Sequence, residues 1–149
     1  MKKVVILALF CGLLNASALD VTCYRDNDKN IVICSEAKLG KLMWQDEAQN
    51  FVGNWRQANE YCKLVNLAGY DDWRLPTIDE LISITDKNKF RPSINSAFKN
   101  TKYDWYWSST EGAGHPSFAP FAWIVGFMEG NVIQDGVSVH NLVLCVRND

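Results

Sequence analysis

Four cysteines lie within residues 19–149 of this 149-residue sequence, at Cys23, Cys34, Cys62 and Cys145. An even number of cysteines in an exported chain indicates two disulfide bonds, and four cysteines allow three connectivities. The sequence has no CxxC pair and no histidine cluster, so the spacing does not indicate a zinc site. Because no repeat, linker or low-complexity stretch interrupts residues 19–149, we expect one domain with a single hydrophobic core.

Residues 1–18 have the organisation of a secretory signal peptide. Two lysines precede an apolar run at residues 4–14, and a small-residue A-x-A site follows and ends at Ala18. The apolar run is too short to span a bilayer, and no later segment is long and apolar enough to do so. A lipoprotein signal at Cys11 is the weaker alternative, because Phe10 is bulky where a small residue is required. We therefore expect an exported protein that is periplasmic, on the cell surface or secreted.

The charge balance bears on the class of partner. Cleavage after Ala18 would remove two lysines and no acidic residue, which leaves 13 basic and 17 acidic residues and a net charge of −4. An acidic chain is not expected to bind nucleic acid or other polyanions without specificity. We therefore expect no nucleic-acid partner.

A β-hairpin is predicted between Cys23 and Cys34. Their midpoint falls in the turn-forming tetrapeptide Asn-Asp-Lys-Asn at residues 27–30, between the strand-like stretches "CYRD" and "IVIC". Pairing about that turn places the two cysteines opposite each other, at a separation that suits a disulfide bond. The stretch "KLMWQ" at residues 41–45 is predicted to be a further strand.

Two helices are predicted in the middle of the chain. The first begins at Asn54, because apolar residues then recur at spacings of three and four, at Trp55, Ala58, Tyr61, Cys62 and Val65. The second begins at Thr77, where "TIDE" is a capping box in which Thr77 and Glu80 each accept a backbone N–H. Pro76 precedes this helix at a position that needs no helical N–H.

From about residue 103 the pattern becomes that of β-strands. The strand-like stretches are "WYWSST", "FAWIVGF", "NVIQ", "VSV" and "LVLCVR", with tight turns predicted at "EGN" (129–131) and "QDG" (134–136). Strands, two helices and a strand-rich half predict an α+β fold. We expect the two helices to pack on one side of a twisted, largely antiparallel sheet.

Several spaced stretches together resemble a known family. They are "LMWQDEA" (42–48), "W-x2-A-x2-YC-x-L" (55–64), "LAGYDDWRLPTIDEL" (67–81), "YWSST" (106–110), "WIVGF" (123–127) and "LCVR" (144–147). With these motifs the chain resembles the Lcl C-terminal domain family over nearly all of residues 39–149. The combination of "AGYDDWRLPT" with "YWSST" is the most specific part of the resemblance.

The resemblance implies a C-type lectin-like domain, with two helices on a twisted antiparallel sheet and neighbouring chain termini. It also implies a disulfide bond from the first helix to the last strand, Cys62–Cys145, the two cysteines that the hairpin pairing leaves over. The Cys23–Cys34 hairpin lies outside the strongest match. The family's namesake, a collagen-like adhesin, implies binding to sulfated glycosaminoglycans and a homo-oligomer. This chain departs from it because it is acidic and has no collagen-like repeat.

The stretch "GYDDWRLPTIDEL" at residues 69–81 allows a binding interpretation and a structural one. In the first, its acidic residues and Arg74 form a polar pocket rimmed by aromatic side chains. In the second, which we favour, Trp73 fills the core, and Asp72 or Arg74 ties the connecting backbone through charged hydrogen bonds. Asp71 is then the residue expected to stay exposed. The structural residues of this interpretation are Trp73, Arg74, Pro76, Thr77 and Glu80.

The stretch "YWSST" at residues 106–110 places a tryptophan beside serines, which would suit stacking against a sugar. A core strand with satisfied hydroxyls is the favoured interpretation. The irregular stretch "EGAGHPSFAP" at residues 111–120 is different, because long loops on a rigid scaffold often carry binding. The candidate ligand-binding residues are Asp104, Glu111, His115, Ser117 and Phe118.

No catalytic residue, metal site or cofactor is predicted. The triplets of calcium-dependent lectins, Glu-Pro-Asn, Gln-Pro-Asp and Trp-Asn-Asp, do not occur. Four other residues could supply oxygen ligands to a calcium ion, but their spacing matches no standard calcium-binding loop. They are Glu111, Glu129, Asn131 and Asp135. A Ser/His/Asp set could be drawn from Ser108 or Ser109 with His115 and Asp104, but there is no nucleophile elbow. Oxidised cysteines offer no thiolate.

Three functional hypotheses follow. The leading one is an exported, noncatalytic recognition or adhesion module that binds a glycan or a protein at the bacterial cell envelope. The second is an envelope hydrolase that uses the acidic loop residues. The third is a structural subunit or inhibitor within a larger surface assembly. A fold alone does not decide among them.

Overall fold

The computed structural model describes residues 21–114 and 120–149, so the predicted signal peptide lies outside the described residues. The described chain has the element order β1 (Thr22–Asp26), β2 (Ile31–Glu36), β3 (Gly40–Gln45), β4 (Val52–Gly53), α1 (Trp55–Leu64), α2 (Ile78–Ser83), β5 (Trp105–Glu111), β6 (Phe121–Gly126), β7 (Asn131–Gly136), β8 (Asn141–Leu142) and β9 (Val146–Asn148). The order of strands, two helices and a strand-rich half confirms the predicted α+β class.

The N-terminal strands form an antiparallel sheet in the order β1-β2-β3-β9. Cys23 faces Cys34 across β1 and β2, and the two form a disulfide bond with Cα atoms 4.1 Å apart. The turn between them ends at Asn30, whose φ of 54° is one that asparagine tolerates. The predicted hairpin and its crosslink are confirmed. The C-terminal strand β9 returns to pair with β3, so the first and last strands are the two edges of one sheet.

A second sheet has the order β4-β8-β5-β6-β7 and is antiparallel except where β5 meets β8. The tight turn predicted at residues 134–136 was wrong, because these residues continue β7 and pair with β6. The chain turns instead at residues 137–139, which the sequence predicts as a strand. The apolar stretch 142–147 is not one strand: it runs from the end of β8 to the start of β9, and these two strands belong to different sheets.

The central strands are buried on both faces. Along β2, Ile31 and Val32 belong to two different hydrophobic clusters, and along β5 Tyr106 and Trp107 are divided in the same way. Since side chains alternate between the two faces of a strand, both faces of the sheet layer are covered. This burial explains why stretches such as "IVIC" are continuously apolar instead of alternating with polar residues.

The two helices cover opposite faces of this layer. Ala58 and Cys62 of α1 belong to the cluster that contains Trp107, whereas Leu81 of α2 belongs to the cluster that contains Tyr106. The expectation that both helices pack on one side was therefore wrong. The apolar spacing within a helix defines its buried face and does not say which face of the sheet it covers.

Both helices begin at capping boxes. The side chain of Asn54 accepts the N–H of Gln57, and the Gln57 side chain accepts the N–H of Asn54. Thr77 and Glu80 make the same reciprocal pair at the start of α2. These contacts satisfy N–H groups that have no partner within the helix. Neither helix, nor any other among the described residues, is long and apolar enough to cross a membrane.

A second disulfide bond joins α1 to the chain just before β9. Cys62 and Cys145 are fully buried, with Cα atoms 5.5 Å apart, as the family resemblance implied. The bond closes a sequence separation of 83 residues, so most of the domain lies inside this covalent loop.

Candidate functional site

Backbone hydrogen bonds anchor both ends of the chain between β5 and β6. The N–H of Gly112 donates to Phe121 O at 2.7 Å, and the N–H of Val137 donates to Pro120 O at 3.1 Å. The outgoing and returning strands are therefore fixed to each other and to the chain that follows β7. The backbone at Gly112 and at Pro120 is therefore fixed.

Four residues meet at this strand end, which we call the loop base: Glu111, Gly112, Phe121 and Gln134. Glu111 is exposed, and the side chains of Phe121 and Gln134 are half-buried. A Cβ placed on Gly112 would lie 2.6 Å from Gln134 Oε1 and 3.1 Å from Phe121 Cβ, so these residues pack closely against its backbone. Because Glu111 pairs with Ala122, the neighbour of Phe121, the loop base presents the Phe121 ring and the Gln134 amide on one face of the sheet and the Glu111 carboxylate on the other. An amide, an aromatic ring and a carboxylate at one strand end are suited to binding hydroxyl-rich or peptide ligands.

A second carboxylate lies in the same cross-strand row. Glu111 pairs with Ala122, and Ala122 pairs with Asp135, so Glu111 and Asp135 are two strands apart, about 10 Å. Asp135 accepts a hydrogen bond from Asn141 Nδ2 at 3.1 Å and one from the N–H of Gly136 at 2.9 Å. Its carboxylate is therefore held in place beside the loop base.

The predicted candidate residues do not all meet at one site. Glu111 lies at the last position of β5, whereas Asp104 precedes the first position and is exposed at the opposite end. A strand of this length separates the two by roughly 20 Å. His115, Ser117 and Phe118 lie outside the described residues. The structure therefore keeps Glu111 at the loop base and places Asp104 elsewhere.

The loop base contains two residues that the sequence does not indicate, Phe121 and Gln134. Phe121 begins β6, and its apolar character resembles that of a core residue. Gln134 lies in β7, in a stretch predicted as a turn, and only the pairing of β6 with β7 brings it to Gly112. Only Val132 and Ile133 of β7 are apolar, and Asn131 and Asp135 are polar as Gln134 is, so the sequence carried no signal that singles out Gln134.

The stretch at residues 69–81 is largely structural in its contacts. Trp73 is 2% exposed, and its indole N–H donates to Tyr70 O at 3.1 Å. The guanidinium of Arg74 donates to both carboxylate oxygens of Glu80, at 2.8 and 2.7 Å. Burial would raise the pKa of Glu80, but the hydrogen bonds from Arg74 and from the N–H of Thr77 hold that pKa below its ordinary value. The contact also raises the pKa of Arg74.

An exposed charged contact lies beside this stretch. The Arg147 guanidinium donates to the Asp72 carboxylate at 2.6 and 3.1 Å and lies 3.8 Å above the ring of Tyr70. The hydrogen bond from Arg147 lowers the pKa of Asp72. Asp71 is exposed, as Asp72 is. These contacts connect the stretch to β9 and leave Asp71 and Asp72 at the surface.

The "YWSST" strand is buried where its tryptophan would have to meet a sugar. Trp107 has no exposed surface, and its indole N–H donates to Gly53 O at 2.9 Å. The hydroxyl of Ser108 is equally buried and donates to Trp123 O at 2.7 Å. Neither side chain is available to a ligand at the surface, and the hydroxyl is already satisfied within the protein.

The oxygen ligands considered for calcium are spread along the sheet. Glu129 accepts a hydrogen bond from Asn131 at 3.2 Å at the turn before β7, whereas Asp135 lies near the other end of that strand. Across residues 21–114 and 120–149, no group of three or more His, Cys, Asp and Glu side chains is placed to hold a metal ion.

These elements define a disulfide-bonded α+β domain that displays one exposed loop base. The model of the Lcl C-terminal domain family matches residues 36–147. The chain therefore belongs to the Lcl C-terminal domain family. The β1–β2 hairpin and its disulfide bond lie almost wholly before the matched residues. No curated protein matches the chain.

Proposed function

We propose that this protein is an exported recognition module that binds a glycan or a protein partner at the bacterial cell envelope through its loop base. The observation that carries the proposal is the loop base itself, where Phe121 and Gln134 pack against the backbone of Gly112 and the exposed carboxylate of Glu111 lies on the other face of the same strand end. A carboxylate and an amide supply hydrogen bonds to hydroxyl or peptide groups, and an aromatic ring supplies an apolar contact. The fixed backbone reduces the entropy lost on binding.

Three further features support export and recognition. Two disulfide bonds suit an oxidising compartment. The predicted signal at residues 1–18 suits the same destination. The family resemblance implies a C-type lectin-like scaffold, in which a long loop carries the ligand, and we expect the stretch at residues 111–120, which the loop base flanks, to be its counterpart. Self-association, which the resemblance also implies, is part of the proposal and is measured by light scattering of the purified protein.

A broad glycan array tests the sugar version of the proposal. The purified, disulfide-bonded protein is compared with Glu111→Gln, Gln134→Ala and Asp104→Asn, the last being an exposed carboxylate at the other end of β5. Loss of a charged hydrogen bond should weaken binding about 10- to 100-fold for Glu111→Gln. Asp104→Asn should bind like the unmodified protein. Equal losses for both carboxylate variants, or none for either, contradict a site at the loop base.

The alternatives have their own readouts. A protein ligand is identified if no glycan on the array binds, if the protein specifically captures an envelope protein, and if Glu111→Gln abolishes that capture. An envelope hydrolase would show turnover in a hydrolase panel that disappears on substitution of Glu111 or Asp104. A structural subunit would copurify with a surface assembly and would retain that association in both loop-base variants.

A further inference from the structure

The basic residues of this acidic protein are unevenly distributed. Five of them fall in residues 87–103, which contain no acidic residue: Lys87, Lys89, Arg91, Lys99 and Lys102. All five are exposed. The net charge of −4 for residues 19–149 therefore conceals a segment with a local charge of +5. A concentration of one sign of charge at a surface attracts ligands of the opposite sign.

Large apolar side chains are exposed in and beside the same segment. Phe90 is 61% exposed, Tyr103 is 52% exposed and Met128 is 41% exposed. The Arg91 guanidinium lies 4.9 Å from the centre of the Phe90 ring, so charge and aromatic surface are adjacent. An exposed aromatic ring beside a cation can meet an apolar and an anionic group of the same partner.

Backbone pairing brings these residues to one end of the domain. The N–H of Arg91 donates to Met128 O at 3.0 Å, and the N–H of Phe127 donates to Asp104 O at 3.1 Å. The chain at Phe90 and the chain at Tyr103 therefore both border the turn between β6 and β7. We call this region the turn end, and it comprises residues 87–91, 102–103 and 128.

The backbone that leads into the turn end at Lys102 and Tyr103 is fixed by buried side chains. The buried carboxylate of Asp46 accepts the N–H of Lys99 at 2.8 Å and the N–H of Asn100 at 3.1 Å. The hydroxyl of Tyr106, another buried residue, accepts the N–H of Lys102 at 2.8 Å. Buried acceptors thus position the backbone, while the lysine side chains extend into solvent.

Three carboxylates border the segment, Asp86, Asp104 and Glu129, so the local net charge is +2, while most of the cations themselves stay unpaired among the described residues. Asp86 pairs with Lys89 at 3.5 Å, and within residues 21–114 and 120–149 the other four basic residues of the segment have no carboxylate within 4 Å. Asp104 accepts the N–H of Trp105 at 2.8 Å, and Glu129 accepts a hydrogen bond from Asn131 at 3.2 Å.

We propose that the turn end docks on an anionic lipid bilayer, with Phe90, Tyr103 and Met128 entering the interfacial region and the surrounding cations meeting lipid headgroups. Apolar and aromatic side chains at the tip of a basic surface are the combination that binds membrane interfaces. Each lysine or arginine near an anionic leaflet strengthens binding about fivefold. A soluble polyanion would use the cations and leave the three apolar side chains in water, so the lipid surface accounts for both features.

This docking goes beyond the recognition proposed above and does not rest on it. The loop base lies at the end of β5 and the turn end at its beginning, roughly 20 Å apart. A domain bound to a bilayer by its turn end would direct the loop base away from the lipid, and either surface can be disabled by substitution without the other.

Co-sedimentation with vesicles tests the proposal. The purified, disulfide-bonded protein is mixed with vesicles of phosphatidylcholine alone or of phosphatidylcholine with phosphatidylglycerol. We expect binding only to the anionic vesicles, weakened by salt. The double variant Lys87→Ala/Lys102→Ala should lower the partition coefficient about 30-fold, and Phe90→Ser should lower it about tenfold or more.

Matched controls separate docking from general surface effects. Arg56→Ala/Lys63→Ala removes two exposed cations of α1, and Tyr24→Ser removes an aromatic side chain of β1 that is 54% exposed. Both controls should bind anionic vesicles like the unmodified protein. Absence of binding to anionic vesicles, or equal losses in the control variants, overturns the proposal. The proposal is also overturned if the protein binds soluble polyphosphate and if Phe90→Ser leaves its binding to anionic vesicles unchanged.

Discussion

The two carboxylate oxygens of Glu80 accept hydrogen bonds from the two terminal guanidinium nitrogens of Arg74, at N···O distances of 2.8 and 2.7 Å. The same carboxylate accepts the N–H of Thr77 at 2.8 Å, and Arg74 also donates to Asn148 Oδ1 at 3.0 Å. The backbone of Arg74 pairs with Val146 at 2.9 Å in both directions. Through its ion pair with Glu80 and its hydrogen bonds to Val146 and Asn148, Arg74 joins the start of α2 to β9.

Glu80→Gln should destabilise the protein by about 1–3 kcal/mol. Glutamine keeps the size of the side chain and can still accept the N–H of Thr77, but it loses the charged contact with Arg74, and the partial exposure of Arg74 keeps the loss moderate. Urea unfolding at neutral pH measures the free energy. Asp79→Asn, an exposed carboxylate in the same helical turn, should change it by less than about 0.5 kcal/mol. Equal effects from the two variants contradict the assigned role of the contact.

Acid should destabilise the protein partly through Glu80 and Asp72. The pKa of Asp72 is lowered by its hydrogen bond from Arg147, and burial of Glu80 is outweighed by its hydrogen bonds from Arg74 and Thr77. A carboxylate whose folded pKa is lowered stabilises the fold above its unfolded pKa of about 4. That stabilisation is lost as the pH falls through the folded pKa. Thermal unfolding is measured from pH 6 down to about pH 2. The midpoint temperature should fall less steeply with pH for Glu80→Gln than for the unmodified protein. Parallel curves would show that Glu80 does not contribute.

The two disulfide bonds should contribute unequally. On the chain-entropy model the bond across a separation of 83 residues contributes about 4–5 kcal/mol, and the bond across 11 residues contributes slightly less than about 3 kcal/mol. Cys62→Ser/Cys145→Ser should therefore lower the free energy of unfolding more than Cys23→Ser/Cys34→Ser does. Chemical denaturation of both double variants measures the difference. A larger loss from the hairpin variant would reverse the expected order.

Gly130→Ala should cost about 1–3 kcal/mol. Gly130 has a φ of 76°, and an added Cβ would lie 2.8 Å from Thr85 Cγ2. Gly40 provides a matched control, because its φ of 77° is the same but an added Cβ would meet nothing within 4 Å. Thermal unfolding of both alanine variants separates backbone strain from the steric contact. If Gly40→Ala is as destabilising as Gly130→Ala, the contact with Thr85 contributes nothing.

Local signals in the sequence were sufficient to predict the hairpin and both helix starts. The turn tetrapeptide lies midway between Cys23 and Cys34, and the capping residues Asn54 and Thr77 act on N–H groups three residues away. These features depend only on neighbours along the chain. The α+β class followed from the order of the elements.

Features that depend on strand pairing were not predictable in the same way. The stretch "LVLCV" has no hydrophobic period, because successive residues face two different clusters, so its division between β8 and β9 was not visible. Asp104 was grouped with Glu111 because the two are close in sequence, yet an extended strand moves them apart by about 3.3 Å per residue. Gln134 reaches the loop base only through the register of β7 with β6.

The positions of the two disulfide bonds determine how this domain would respond to mechanical tension between its ends. A pull on the C-terminus can peel away β9 but stops at Cys145, and a pull on the N-terminus stops at Cys23. The chain enclosed by each bond cannot lengthen while the sulfurs stay joined. Only the chain between Cys34 and Cys62, about 100 Å when drawn out, is left to extend. An oxidised molecule under load would thus yield by a short, bounded length and keep most of its residues inside covalent loops.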